Sequence, residues 1–227
     1  MEEIKPYNIE KVAKIVESKE TMRLLSCLQT LELHAVSIGE GGNADVFVAE
    51  ETPFKKVCLK KIKQKPQILS NDIDQEHKYQ IMAREAGVST PLPLISFEAE
   101  GKKYLIMERV DGHTILEVLE KPSLLPKKFD FAVFSKALDD SIKKMHDSGL
   151  YHRDLHSKNV MINKAGMPVI IDFGTATVGS GSDFTYEESV SMYNPTSDRY
   201  EQKTGYFKDD LMMVRNLKAS LSKVSAY

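Results

Sequence analysis

The sequence predicts an α+β fold in two lobes, a β-rich N-terminal lobe and a truncated, mainly helical C-terminal one. Three observations predict it. Residues 33–63 switch to short apolar runs broken by glycines, which offers three antiparallel strands. The order that follows is helix, strand, helix, then two short strands bearing polar residues. A stretch near 108–113 separates the two groups and reads as a linker beside a cleft. The expected division is an N-terminal helical extension over 1–32, a first lobe over 33–108 and a second over 109–227.

Each element has a local reason. Residues 8–31 carry two helical stripes, Ile9-Val12-Ile15-Val16 and Leu24-Leu25-Leu28-Leu31. Such stripes usually mark a helix packed on a core, here the first lobe. Val36-Ser37-Ile38, Val46-Phe47-Val48 and Val57-Cys58-Leu59-Lys60 are the three strands. Residues 71–86 read as helix, and Gly87 fits its end. Tyr104-Leu105-Ile106-Met107 is an apolar strand. Phe129 to His146 is a helix with Phe131, Phe134, Leu138, Ile142 and Met145 on one face, and Gly149 stops it. Val160-Met161-Ile162 and Val169-Ile170-Ile171 form a ribbon turning at Lys164-Ala165-Gly166. The segment from Thr175 to Lys203 reads as polar and turn-rich, and FKDDLMMVRNL as one helix.

Composition narrows the class. Hydrophobic residues make up 41% of 227, enough to bury a real core. The formal charge of −2 gives no sign of nucleic-acid binding. No segment approaches the roughly 18 continuous apolar residues of a membrane span. The start, MEEIKPYNIEK, lacks an apolar signal-peptide core, which argues against ordinary export but not against specialised secretion. Cys27 and Cys58 are the only cysteines, so a reducing environment is the simpler expectation.

The chemistry-bearing residues fall in a fixed order. GEGGNADV sets Gly39, Gly41 and Gly42 between two strands, where the absent Cβ lets backbone N–H groups approach phosphate oxygens. Val46 follows, placed to pack on a base. Alone, such a run is more readily a hairpin turn. Lys60 ends VCLK and is placed to hold phosphates, with Lys61 as its neighbouring competitor. Glu76 is the carboxylate expected to fix Lys60; Glu85 lies over two turns further along and suits less. Met107 would control access behind the base, and the backbone of Glu108 and Val110 would pair with it.

The stretch YHRDLHSKN contributes Asp154, placed to take an acceptor hydroxyl's proton, and Asn159, placed for a metal; His152 is expected to be structural. Asp172-Phe173-Gly174 follows the next apolar strand, and Asp172 is the second metal candidate. Later in the chain, Asp210 or Asp209 is expected to anchor the HRD backbone, against the alternative of a solvated helix start.

These pieces, G-x-G, Lys60, Glu76, H-R-D-L-x-x-x-N and D-F-G, resemble the protein-kinase superfamily from Gly39 through Gly174. The resemblance implies a bilobal protein-kinase-like fold and magnesium-dependent transfer of the ATP γ-phosphoryl group. Three departures stand out: Ala44 replaces the third glycine, no A-P-E motif follows, and His156 stands where serine/threonine kinases usually carry lysine. H-x-D-L-H and EAGVSTPLPL resemble kinases of small molecules and sugars. The short chain after Gly174 favours instead a hydroxyl presented on another protein. HRDLHSKN, DFG and the short second lobe resemble the HopBF family of bacterial effector kinases. That resemblance implies secretion into a host cell's cytosol and phosphorylation of a serine in the host ninety-kilodalton heat-shock chaperone. A third class, a pseudokinase binding module, requires a key residue to be lost, and none is. Arg153 raises the expectation of activation by phosphorylation at Thr175, Thr177, Ser180, Ser182 or Thr185, against the plainer one of loop hydroxyls.

Overall fold

Alternation along the first strands produces a sheet with two different faces. The computed structural model describes residues 36–40, 44–48, 57–62, 72–99, 101–179, 189–194, 199–204 and 209–225. The helical stripes expected over 8–31, and Gly41 and Gly42, lie outside these. The five strands are β1 (Val36–Glu40), β2 (Ala44–Val48), β3 (Val57–Ile62), β4 (Pro93–Ala99) and β5 (Lys102–Glu108). They order as β1-β2-β3-β5-β4, antiparallel throughout. On one face Val46, Val48, Cys58, Ile62, Leu105 and Met107 cluster with Ile73; on the other, Phe47, Leu59, Tyr104 and Ile106 cluster with Leu94, Ile95 and Phe97. Period-two side chains sort the strands in this way. Register places Gly39, Val46, Lys60 and Leu105 in one row across four strands. Lys60 therefore rises from the same face as Val46, beside the apolar patch.

Helix α1 (Ile73–Glu85) crosses below that face. Asp72 caps it, accepting from the Ile73 N–H. Its C-terminus closes with Val88 N–H bonded to Ala83 O around Gly87. Gly87 and Gly149 both have left-handed φ, +80° and +76°, which any Cβ would strain.

The second lobe holds β6 (Gly112–Thr114), α2 (Ile115–Glu120), a 3₁₀ turn (Pro122–Leu124), α3 (Phe131–Asp147), β7 (Leu150–Tyr151), β8 (Val160–Asn163), β9 (Pro168–Ile170) and β10 (Thr177–Val178). Beyond them come β11 (Ser189–Asn194), β12 (Arg199–Thr204) and α4 (Asp209–Val224). Asp130 caps α3 with two bonds, to Ala132 N and Val133 N. Phe134, Leu138, Ile142 and Met145 are buried along one side of α3 and face Ile115, Val118, Leu217 and Leu221. Tyr79, Ala83 and Val88 of the first lobe join this same core. The lobes are thus welded at α1, and the Ile170 N–H bonded to Ser89 O adds a second seam. This is a bilobal kinase-like fold, β-rich first and mainly helical after. Among the described residues no helix is long and apolar enough to cross a membrane.

One expectation needs correcting. Within the segment expected to be turn-rich, β11 and β12 pair antiparallel in continuous register from Ser189↔Thr204 to Asn194↔Arg199. Val190, Tyr193 and Tyr200 are strand formers there, and their propensity outweighs the polar residues between them.

Candidate active site

Three charged side chains meet where α1, β3 and the turn after β9 converge. Lys60 Nζ lies 2.7 Å from Glu76 Oε1 and 2.7 Å from Asp172 Oδ1. Lys60 and Glu76 are sealed in, with side chains 7% and 2% exposed, while Asp172 is 44% exposed. Lys61 points away from this seal and is half-buried, and Glu85 is not the partner.

Burial disfavours the Lys60 ammonium, but Asp172 and Glu76 outweigh it and raise its pKa. Burial likewise disfavours the Asp172 carboxylate. The Lys60 charge and hydrogen bond, helped by the Gly174 N–H, overcome this and lower it from 3.8 to about 2. Glu76 shifts upward, chiefly through burial, with Lys60 pulling against it and Asp172 adding repulsion. One cation thus serves two carboxylates pushed in opposite directions. Asp172 takes a left-handed φ of 64°, uncommon for a residue with a Cβ and most tolerable for Asp or Asn.

The loop YHRDLHSKN is organised from beneath. Asp210 at the start of α4 is buried. Its Oδ2 accepts His152 N–H at 3.0 Å, its Oδ1 accepts Arg153 N–H at 2.9 Å, and His146 Nε2 lies 3.0 Å from Oδ2. These bonds hold Arg153 at φ 69°, among the described residues the other non-glycine in left-handed geometry. The anchor is therefore Asp210 rather than a solvated helix start. His152 is fully buried. Its Nε2 bonds Ile171 O at 3.0 Å and its ring packs on Phe173 with centroids 4.9 Å apart. Thr175 donates to His152 O, so that hydroxyl braces the loop.

Asn159 turns its amide nitrogen toward Asp154, donating to the backbone O at 2.9 Å and to Oδ2 at 3.1 Å. Its Oδ1 is the atom left to take a cation. Asn159 and Asp172 offer hard oxygens. Among the described residues no group of three or more His, Cys, Asp or Glu could hold a metal by itself. A magnesium ion suits such a set, since it uses one or two carboxylates and completes its shell with water and phosphate.

At the back of the cleft Met107 is buried. Its sulfur lies 3.9 Å from the buried Gln80 Nε2, a polar neighbour the apolar pattern of the strands gave no reason to expect. The Glu108 N–H is taken by Leu92 O at 2.8 Å, so the backbone pairing expected of Glu108 falls to its carbonyl alone. Cys58 Sγ lies 3.7 Å from that carbonyl, and burial pushes its thiol up to about 12. Val110 is half-buried just beyond. The structure thus brings Lys60, Glu76 and Asp172 together, and Asp154 with Asn159. Gly39 and Val46 share the Lys60 row.

The sequence matches the family described as Protein kinase domain over residues 34–196. It is similar to sperm motility kinase 3A of Mus musculus, 30% identical over 167 residues, covering 71% of this chain and 32% of that protein. It is also similar to the serine/threonine-protein kinase PknE of Mycobacterium bovis, 24% identical over 180 residues, covering 77% and 31%. Mitogen-activated protein kinase kinase 2 of Arabidopsis thaliana is 33% identical over 99 residues, covering 44% and 27%. The chain spans about a third of the length of the curated relatives it matches. With the match running from the first strand through YHRDLHSKN and beyond Gly174, the chain belongs to the protein kinase domain family.

Proposed function

We propose that this chain is an ATP- and magnesium-dependent protein serine/threonine kinase. The observation that carries the proposal is Lys60, bonded at once to Glu76 of α1 and to Asp172 of the second lobe. Phosphoryl transfer needs alignment and charge neutralisation more than covalent help. Lys60 would hold the α- and β-phosphates, with Glu76 fixing its ammonium. Asp172 and Asn159 would hold magnesium, which when bound neutralises charge on the phosphates. Gly39, Gly41 and Gly42 would cover the phosphates, Val46 would pack on the adenine, and Met107, the Glu108 carbonyl and the Val110 backbone would line its pocket. Asp154 would accept the acceptor hydroxyl's proton as that oxygen bonds to the γ-phosphorus and ADP departs.

A protein hydroxyl as acceptor is supported by the serine/threonine-protein kinases among the relatives. The finer proposal follows the resemblance of HRDLHSKN and DFG to HopBF effector kinases: a serine of a host ninety-kilodalton heat-shock chaperone, met in the host cytosol. A small-molecule acceptor is favoured by one observation, His156 in H-x-D-L-H. Labelled-ATP transfer by wild type and Asp172→Ala, to purified chaperone, host lysate and a metabolite panel, separates the three. Label on serine of the chaperone supports the finer proposal, and label only on other proteins keeps the kinase without it. Saturable turnover on a metabolite alone would replace both. Equal labelling by the two enzymes would remove Asp172 from its assigned role.

A further inference from the structure

His152 and His156 use the same device and point it at different targets. In each ring Nδ1 accepts a backbone N–H two residues on, Asp154 N at 3.3 Å for His152 and Lys158 N at 3.1 Å for His156. A ring nitrogen that accepts carries no proton, so the neutral ring keeps its proton on Nε2. His152 gives that proton to Ile171 O. His156 instead sets Nε2 at 3.4 Å from Asp154 Oδ2, with its side chain only 4% exposed. The same Oδ2 receives Asn159 Nδ2.

We propose that His156 is a positioning residue for Asp154. Neutral, with its proton on Nε2, it holds Oδ2 jointly with Asn159 and leaves Oδ1 for the acceptor hydroxyl. This rests on the phosphoryl-transfer function proposed above. Two donors on one oxygen limit rotation of the carboxylate, and rotation would spoil the approach of the hydroxyl. In the transfer step Oδ1 takes the hydroxyl proton, the hydroxyl oxygen bonds to the γ-phosphorus, and the bond from that phosphorus to the bridging oxygen of ADP breaks. His156 keeps its own proton throughout. Position 156 therefore requires a donor at the place of Nε2 and no positive charge, which is the physical content of a histidine where lysine is usual.

The test joins a spectrum to kinetics. Two-bond proton–nitrogen correlation on the ¹⁵N-labelled chain reads the tautomer of His156, assigned by its loss in His156→Gln. The expected form is Nε2–H. In steady state His156→Leu should lower kcat by about 10- to 100-fold with KM for ATP changed by less than about twofold. His156→Gln, whose amide N–H can reach the Nε2 place, should stay within about fivefold of wild type. A proton on Nδ1, unchanged kcat in His156→Leu, or His156→Gln falling as far as leucine would each overturn the proposal. If His156→Leu does not fold, the glutamine variant and the spectrum decide. If wild type transfers no phosphate, the proposed function falls, while the tautomer still supports or overturns the contact to Asp154.

Discussion

Asp154 and Asp172 are two carboxylates of the second lobe, held by opposite means. Asp172 is held by a full charge: the Lys60 ammonium at 2.7 Å, itself shared with Glu76. Its contact with Lys60 joins residues more than a hundred positions apart. Asp154 is met from within a nine-residue loop: the Asn159 amide donates to its Oδ2, and His156 Nε2 lies 3.4 Å from the same oxygen. The difference teaches what each site tolerates. In the proposed function, the carboxylate that would carry a cation is kept ionised by a neighbouring charge. One that is to receive a proton is better aimed by neutral donors, which fix its direction without a nearby positive charge competing for the proton's place.

Breaking the charged side should have the largest effect. Lys60→Met leaves Glu76 buried without its cation, so stability should fall by about 3 kcal/mol and phosphoryl transfer by about 10³-fold. Adding Glu76→Leu should restore most of the stability and none of the transfer, since an apolar pair can replace a buried ion pair in packing but not in chemistry. Chemical denaturation and labelled-ATP turnover read the two quantities separately.

The loop side breaks from below. Asp210→Ala removes the acceptor of the His152 and Arg153 N–H groups and frees Arg153 from its left-handed geometry. A loss of about 2–3 kcal/mol is expected, with kcat reduced more than KM for ATP, because Lys60 is untouched. Next in size is Gly112→Ala. A Cβ there would sit 2.2 Å from Ile162 O, so β6 must part from β8 at a cost of about 2 kcal/mol, read as a lowered melting temperature.

The smallest effect is on pH dependence. The folded-state pKa of Asp172, about 2, is below its ordinary 3.8. Its contribution to stability is therefore present above about pH 4 and lost as pH falls toward 2. Solvent reaches 44% of the side chain, so the slope should be shallow. Melting curves of wild type and Asp172→Asn should converge across that window and separate above it.

Much of this was legible in the sequence because it is local. Short apolar runs marked β2, β3 and β5, and helical spacing marked the buried side of α3. Other elements carry local signals as well. Thr114-x-x-Glu117 is a capping box, with the Glu117 N–H bonded to Thr114 Oγ1 and the Thr114 N–H to the Glu117 carboxylate, and it opens α2. Strand β4 begins at a proline, which weakens its strand signal, yet it sits at a sheet edge where proline is tolerated. The choice between Asp209 and Asp210 could not be made from adjacent identical residues, because it depends on where α4 meets the loop in space. The tautomers of His152 and His156 depend on which backbone N–H each ring meets, which no spacing encodes.

The most direct test of the central claim is transfer of labelled γ-phosphate by wild type, Asp154→Ala and Asp172→Ala, with nucleotide binding measured on the same samples. Wild type should label serine or threonine of a protein acceptor. Asp154→Ala should bind ATP with magnesium as wild type does and transfer about 10³-fold more slowly. Asp172→Ala should lose magnesium-dependent binding and transfer together. Transfer by either variant at the wild-type rate would contradict the account.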